Sequence, residues 1–181
     1  MGRELKHHEK KLLKKVDFLD WKQDQGHRAA QVMRMYHIQN RNDYEKYNRL
    51  CGSIRQLAHK MAQLPAEDPV RLKHEDMLME KLDKMGVFGL KNAKVSDLEK
   101  LSVAAFARRR LPVVMARLQM APTVGDAAKF VEQGHVRVGP QVVTDPAMLI
   151  TRHMEDFLTW VDGSKIKRRI QEYRGTVDDF D

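Results

Sequence analysis

Three consecutive arginines, Arg108, Arg109 and Arg110, stand directly before Leu111 and Pro112, a pair suited to the first turn of a helix. Cations there face the positive end of the helix dipole, at a cost of about a few tenths of a kcal/mol each. An anion offsets that cost. A phosphate backbone is one such anion, since each guanidinium grips phosphate oxygens bidentately and the helix N–H groups offer further donors. The alternative is a solvated charge run with acidic neighbours. Downstream, His135 and Arg137 share one face of an alternating stretch, and Lys129 and Gln133 on the preceding helical stretch lie beside it. Together they outline a basic surface.

Two further groups of cations flank this centre. Lys10, Lys11, Lys14 and Lys15 spread round an amino-terminal helical stretch whose Leu5, Leu12, Val16 and Leu19 form an apolar stripe. Such a helix lies on RNA, or its stripe packs against a partner or the rest of the chain with the lysines solvated. Lys165, Lys167, Arg168 and Arg169 near the carboxyl end carry the same two readings. Other chemistries find less support. His7, His8, His27, His37, His59, His74, His135 and His153 do not combine with carboxylates at ligand spacing, so no metal and no cofactor are expected. Cys51 lies beside Gly52 in a helical stretch without a nucleophile signature and reads as a buried thiol. No catalytic constellation emerges, and the expectation is a protein that is not an enzyme.

Composition agrees with a binding role. The 181 residues hold 33 Lys+Arg against 25 Asp+Glu, a formal charge of +8, which points first to nucleic acid and second to an acidic protein. With 42% apolar and 32% charged residues the chain has enough apolar surface for a core, against wholesale disorder. No run approaches the roughly 20 apolar residues of a membrane span. Arg3, Glu4, Lys6, Glu9 and Lys10 spoil a signal peptide, so no membrane partner and an intracellular setting are expected. A single cysteine excludes an internal disulfide.

The elements that position these residues change character along the chain. The first 85 residues are poor in glycine and repeat apolar side chains every three or four positions, as helices do. Leu50, Ile54, Leu57, Met61 and Leu64 predict a buried helical stripe. Pro65 and Pro69 interrupt it, and Leu72, Leu78, Leu82 and Met85 predict a second helix stopped by Gly86. Residues 89–101 connect the halves, with a short helix near Ser96. A helix over 111–119 follows. Thr123 then caps another, carrying Ala127, Phe130 and Val131 as far as Gly134. Alternation over 135–138, a turn at Gly139 and Pro140, and Val142 with Val143 predict a hairpin; 157–161 predicts a last strand. Val136 and Val138 should face the helices and leave His135 and Arg137 outward.

The stretch Arg108 to Val161, with GHVRVG at Gly134 to Gly139, resembles the RNA-binding domain family named after small-subunit ribosomal protein four. Asp68 to Phe88, DPVRLKHEDMLMEKLDKMGVF, is similar to the helical portion preceding that domain in archaeal and eukaryotic members. The resemblance implies an α+β fold: a mostly helical N-terminal half, then a small RNA-binding domain of two short helices packed on a small, largely antiparallel sheet. It implies a division into residues 1–100, 101–163 and a basic then acidic tail at 164–181. Within the family, the segments Leu5 to Arg28, Tyr36 to Lys60 and Phe157 to Arg174 are similar to the branch found in the U-three small nucleolar ribonucleoprotein. That branch implies four partners: U-three small nucleolar RNA, precursor ribosomal RNA, an M-phase phosphoprotein scaffold and a Brix-domain processome protein. It also implies a nucleolar location and a role in early 18S processing. A structural ribosomal protein, a targeting module of an RNA-modifying enzyme and a protein scaffold with incidental charge are the competing roles.

Overall fold

A computed structural model describes residues 3–15, 28–88 and 95–176. Among the described residues of the N-terminal half, four helices come first: α1 (His7–Lys15), α2 (Arg28–Met35), α3 (Arg41–Ala62) and α4 (Pro69–Lys84). Side chains start the two long ones. Asn40 accepts a hydrogen bond from the Asn42 N–H at 3.0 Å, and Asp68 accepts one from Val70 N–H at 2.8 Å with Pro69 in the first turn. After α4 the chain turns at Gly86, whose φ of +69° belongs to the left-handed region.

The register of the α3 stripe differs from the sequence expectation. Tyr47, Cys51, Ile54, Ala58 and Met61 are buried, whereas Leu50, Leu57 and Leu64 are 39%, 41% and 39% exposed. Both rows repeat at helical spacing and share Ile54 and Met61. Which row turns inward depends on the small Cys51 and Ala58, which let α3 approach the short helices α5 (Val95–Leu98) and α6 (Val103–Ala107). On α4, Leu82 is buried and Leu78 half-buried, but Leu72 is exposed. Val16 and Leu19 of the expected amino-terminal stripe lie outside the described residues, and Leu5 and Leu12 are exposed.

The C-terminal half contains α7 (Leu111–Arg117), α8 (Val124–Glu132), β1 (Val136–Val138), β2 (Gln141–Val142), α9 (Arg152–Glu155), β3 (Leu158–Trp160) and α10 (Lys165–Arg174). The three strands form one antiparallel sheet in the order β2-β1-β3. Thr123 Oγ1 accepts from the Asp126 N–H at 3.1 Å and donates to its carboxylate at 2.7 Å, which ties down the first turn of α8. Three short elements, α6, α9 and α10, are absent from the sequence expectation. The basic run read as a tail is helix α10, capped by Ser164, whose Oγ accepts from Ile166 N–H at 3.2 Å.

Two cores meet in the chain. One gathers Tyr47, Cys51, Leu82, Leu98 and Phe106; the other gathers Leu111, Met115, Val131, Val136, Ile150 and Leu158. Phe106, Leu111, Met115 and Val136 have no exposed surface, and each such burial contributes about 2 kcal/mol. Between the cores runs a polar seam. Tyr47 Oη donates to the Ala147 carbonyl at 3.2 Å, and Arg152 donates to the Phe88 carbonyl at 2.6 Å while meeting Asp83 at 2.9 Å.

Candidate nucleic-acid interface

The arginine triplet lies where the sequence puts it, with Arg108 ending α6 and Arg110 preceding α7. Its three side chains part company there. Arg108 is exposed, but Arg109 and Arg110 are only 4% and 2% exposed. Arg109 Nε donates to the Ile150 carbonyl at 2.8 Å, its Nη2 donates to the same oxygen, and its Nη1 pairs with Glu155. Gly86 lies against this guanidinium: a Cβ there would come within 2.8 Å of Arg109 Cζ. Arg110 reaches Asp43 at 3.5 Å and Tyr47 Oη at 3.4 Å, and its Nε finds no partner among the described residues. The expected grip of Arg109 and Arg110 on phosphate is therefore corrected. The anions that offset the helix dipole are internal carboxylates, brought in from α3 and α9.

Glu155 joins two arginines, Arg109 and Arg117, the second at 2.6 Å. Burial pushes its carboxyl up, but hydrogen bonds from Arg117 and Arg109 and their charges outweigh that, leaving it below the usual range. A carboxyl depressed in the fold adds stability above its unfolded value of about 4.3 and loses it as pH falls through the folded value. Denaturation midpoints of the wild type and Glu155→Gln should thus differ at neutral pH and converge on acidification below about pH 4. A gap that stays constant with pH would refute the bridge.

The sheet separates two sets of side chains. Val136 and Leu158 are buried, Val138 is half-buried beside them, and Trp160 meets Phe130 of α8 edge to face at 5.9 Å. The opposite face carries His135, Arg137, Val142 and Thr159, since Arg137 pairs with Val142 on one side and Thr159 on the other. Arg137 Nε donates to Thr159 Oγ1 at 3.1 Å and Nη1 to Asp162 at 2.6 Å. Lys167 of α10 donates to the other oxygen of Asp162 at 2.6 Å, and His135 Nδ1 is hydrogen-bonded to Ser164 Oγ at 3.1 Å. The hydrogen bond from Lys167 and the charge of Arg137 hold the Asp162 carboxyl below its usual range. Two cations from distant segments are thus gathered round one carboxylate.

The remaining cations are spread over the surface. Lys129 is exposed and 3.7 Å from Asp126. Lys165, Arg168 and Arg169 are exposed on α10, and Lys10, Lys11 and Lys14 on α1; the side chain of Lys15 lies outside the described residues.

Comparison with known proteins bears on this arrangement. The model of the ribosomal protein S4/S9 N-terminal domain matches residues 4–107, and that of the S4 domain residues 109–156. U3 small nucleolar ribonucleoprotein protein IMP3 of Saccharomyces cerevisiae is 65% identical over 100% of this chain and 99% of its own. The chain belongs to the IMP3 family. The human protein of that name is 48% identical over 100% of this chain and 98% of its own. Small ribosomal subunit protein uS4 of Picrophilus torridus is 27% identical over 80% and 79% respectively.

In this IMP3-family chain, sequence reasoning missed the residues that organise the basic surface. Thr159, Asp162 and Ser164 orient Arg137, Lys167 and His135, and Glu155 and Asp43 hold the buried arginines. One of these carried a local signal. Thr159 sits mid-strand with alternating neighbours, which places it on one face with Phe157. Asp43 is 67 positions from Arg110, beyond any local pattern.

Proposed function

We propose that this chain is a non-enzymatic RNA-binding subunit of the U3 small nucleolar ribonucleoprotein and the small-subunit processome. It acts in the nucleolus, where it helps U3 small nucleolar RNA pair with precursor ribosomal RNA before the early cleavages of 18S processing. The full-length similarity to the yeast protein carries this proposal. The cation arrangement supports it: Arg108, Lys129, His135, Arg137, Lys165, Lys167, Arg168 and Arg169 contact RNA, joined by Lys10, Lys11, Lys14 and Lys15. Arg109 and Arg110 serve that surface by holding its base together. Residues 1–100 form the helical region, 101–163 the RNA-binding domain, and 164–181 a basic then acidic tail.

An M-phase phosphoprotein scaffold and a Brix-domain protein are the proposed protein partners. The exposed row Leu50 and Leu57 on α3, continued by Leu64 just past its end, offers apolar surface to such partners. A second role, as a structural ribosomal protein, draws on the 27% identity to uS4 of Picrophilus torridus.

Crosslinking the protein to RNA in cell extract, sequencing the recovered RNA and mapping the crosslinked peptides separates these roles. Enrichment of U3 RNA and the precursor leader, with crosslinks at Arg108, Lys129 and 135–137, is the expected result. Recovery of mature small-subunit RNA alone would make the chain a ribosomal protein. Recovery of no RNA would leave a protein scaffold.

A further inference from the structure

We propose that the outer face of the three-stranded sheet is a platform for unpaired nucleotides, on which Phe157 and the Arg137 guanidinium stack bases. The proposal rests on the RNA-binding role above and specifies which form of RNA this face takes.

Phe157 is 61% exposed, in contrast to the buried Leu158 that follows it. It immediately precedes β3, and its carbonyl continues the ladder to β1, so alternation with the buried Leu158 turns it toward the face that carries Thr159 and Arg137. Gly139 lies across from it, donating its N–H to the Phe157 carbonyl at 2.9 Å. A Cβ at Gly139 would meet no heavy atom within 4 Å, so the space beside that position is open. Val142, also exposed, extends the row on the far side of Arg137.

Arg137 is fixed by its edge. Thr159 takes Nε–H and Asp162 takes one Nη1–H, which holds the guanidinium plane in place while both its faces and its Nη2 donors make no hydrogen bond to these partners. A base stacks on such a plane as it does on an aromatic ring. Lys167 beside Asp162, and the exposed Lys165 and Arg168 of α10, supply charge for the phosphates that must accompany those bases. This combination of apolar ring, planar cation and neighbouring lysine favours RNA over a protein segment. Unpaired RNA fits because a duplex keeps its base faces stacked inside the helix, out of reach.

The test uses the full chain with Phe157→Ala, Phe157→Tyr and Arg137→Lys. Binding is measured to an unstructured mixed-sequence oligoribonucleotide and to a fully paired RNA duplex at one salt concentration, then across salt. Phe157→Ala should weaken binding to the single strand by about tenfold or more and leave the duplex unchanged. Its salt slope should match the wild type, since no charge is lost. Phe157→Tyr should restore binding, and Arg137→Lys should weaken it with charge kept. Unchanged denaturation midpoints confirm that the exposed ring is not structural. Equal binding of Phe157→Ala and wild type to the single strand, or equal losses on both RNAs, would overturn the platform. So would a variant that keeps RNA but releases a protein from the assembled particle, which makes this face a protein surface. A wild type that binds neither RNA would instead bring down the RNA-binding role itself, and the platform with it.

Discussion

Replacing Arg109 by alanine should destabilise the fold by about 3 kcal/mol or more, while Arg108→Ala should stay within about 0.5 kcal/mol of wild type. The contrast follows from what each side chain touches. Arg109 is nearly inaccessible, clamps the Ile150 carbonyl through two of its nitrogens, and pairs with Glu155. Its removal strands a buried carbonyl and leaves a space against Gly86. Arg110 is equally buried, but its contacts to Asp43 and Tyr47 are long and its Nε has no partner among the described residues, so Arg110→Ala should cost less. Urea denaturation of the three variants gives the ranking, and RNA binding measured well below the midpoints separates the roles. Arg108→Ala should weaken RNA binding with the fold intact. Equal stability of Arg108→Ala and Arg109→Ala would mean that the clamp carries no energy.

RNA affinity should fall by about a thousandfold between roughly 50 and 200 mM salt, the loss expected when about six phosphates are neutralised. Exposed cations on α1, α8 and α10 supply more than that number. Their carboxylate partners are few and distant: Lys129 is 3.7 Å from Asp126 and Arg168 is 3.7 Å from Glu172, both exposed pairs worth little. RNA therefore displaces them at small cost. Replacing Lys165, Arg168 and Arg169 together by glutamine should lower the log–log salt slope by about 2, taking roughly 0.7 per phosphate for a single strand. These residues project from the surface, so the denaturation midpoint should hold. Equilibrium binding titrations at several salt concentrations read both quantities. A flat salt dependence would show that phosphate contacts do not drive the association.

How much of this was legible beforehand depends on the range of the interaction. Helix starts and stops were, because a cap acts within a few residues: Thr123 with Asp126, Pro112 in the first turn of α7 and Gly86 after α4 all stand as their local chemistry requires. The hairpin and the two faces of its strand were legible for the same reason, since alternation is a property of neighbours. Short helices such as α9 escaped because four residues hold too little periodic signal. The α3 stripe was legible as a helix but not in rotation. Two apolar rows differ by a fraction of a turn, and the choice is made by helices α5 and α6 from another part of the chain.

The arginine triplet marks the limit most clearly. The sequence alone determined that three cations at the start of a helix need an anion, because the dipole of that helix is a local and unavoidable consequence of its backbone. It also determined the basic balance, the change from a helical half to a hairpin-bearing half, and the outward face of β1. Only the tertiary structure decided which anion serves which arginine. Asp43 and Glu155 reach Arg110 and Arg109 across 67 and 46 positions, so two of the three charges are consumed inside the fold and one is left for solvent. The same folding brings Lys167 to Arg137 round Asp162 and leaves Phe157 uncovered on the sheet. Coulomb attraction and burial depend on distance in space, and residues far apart in the chain acquire that distance only when the cores on either side have packed.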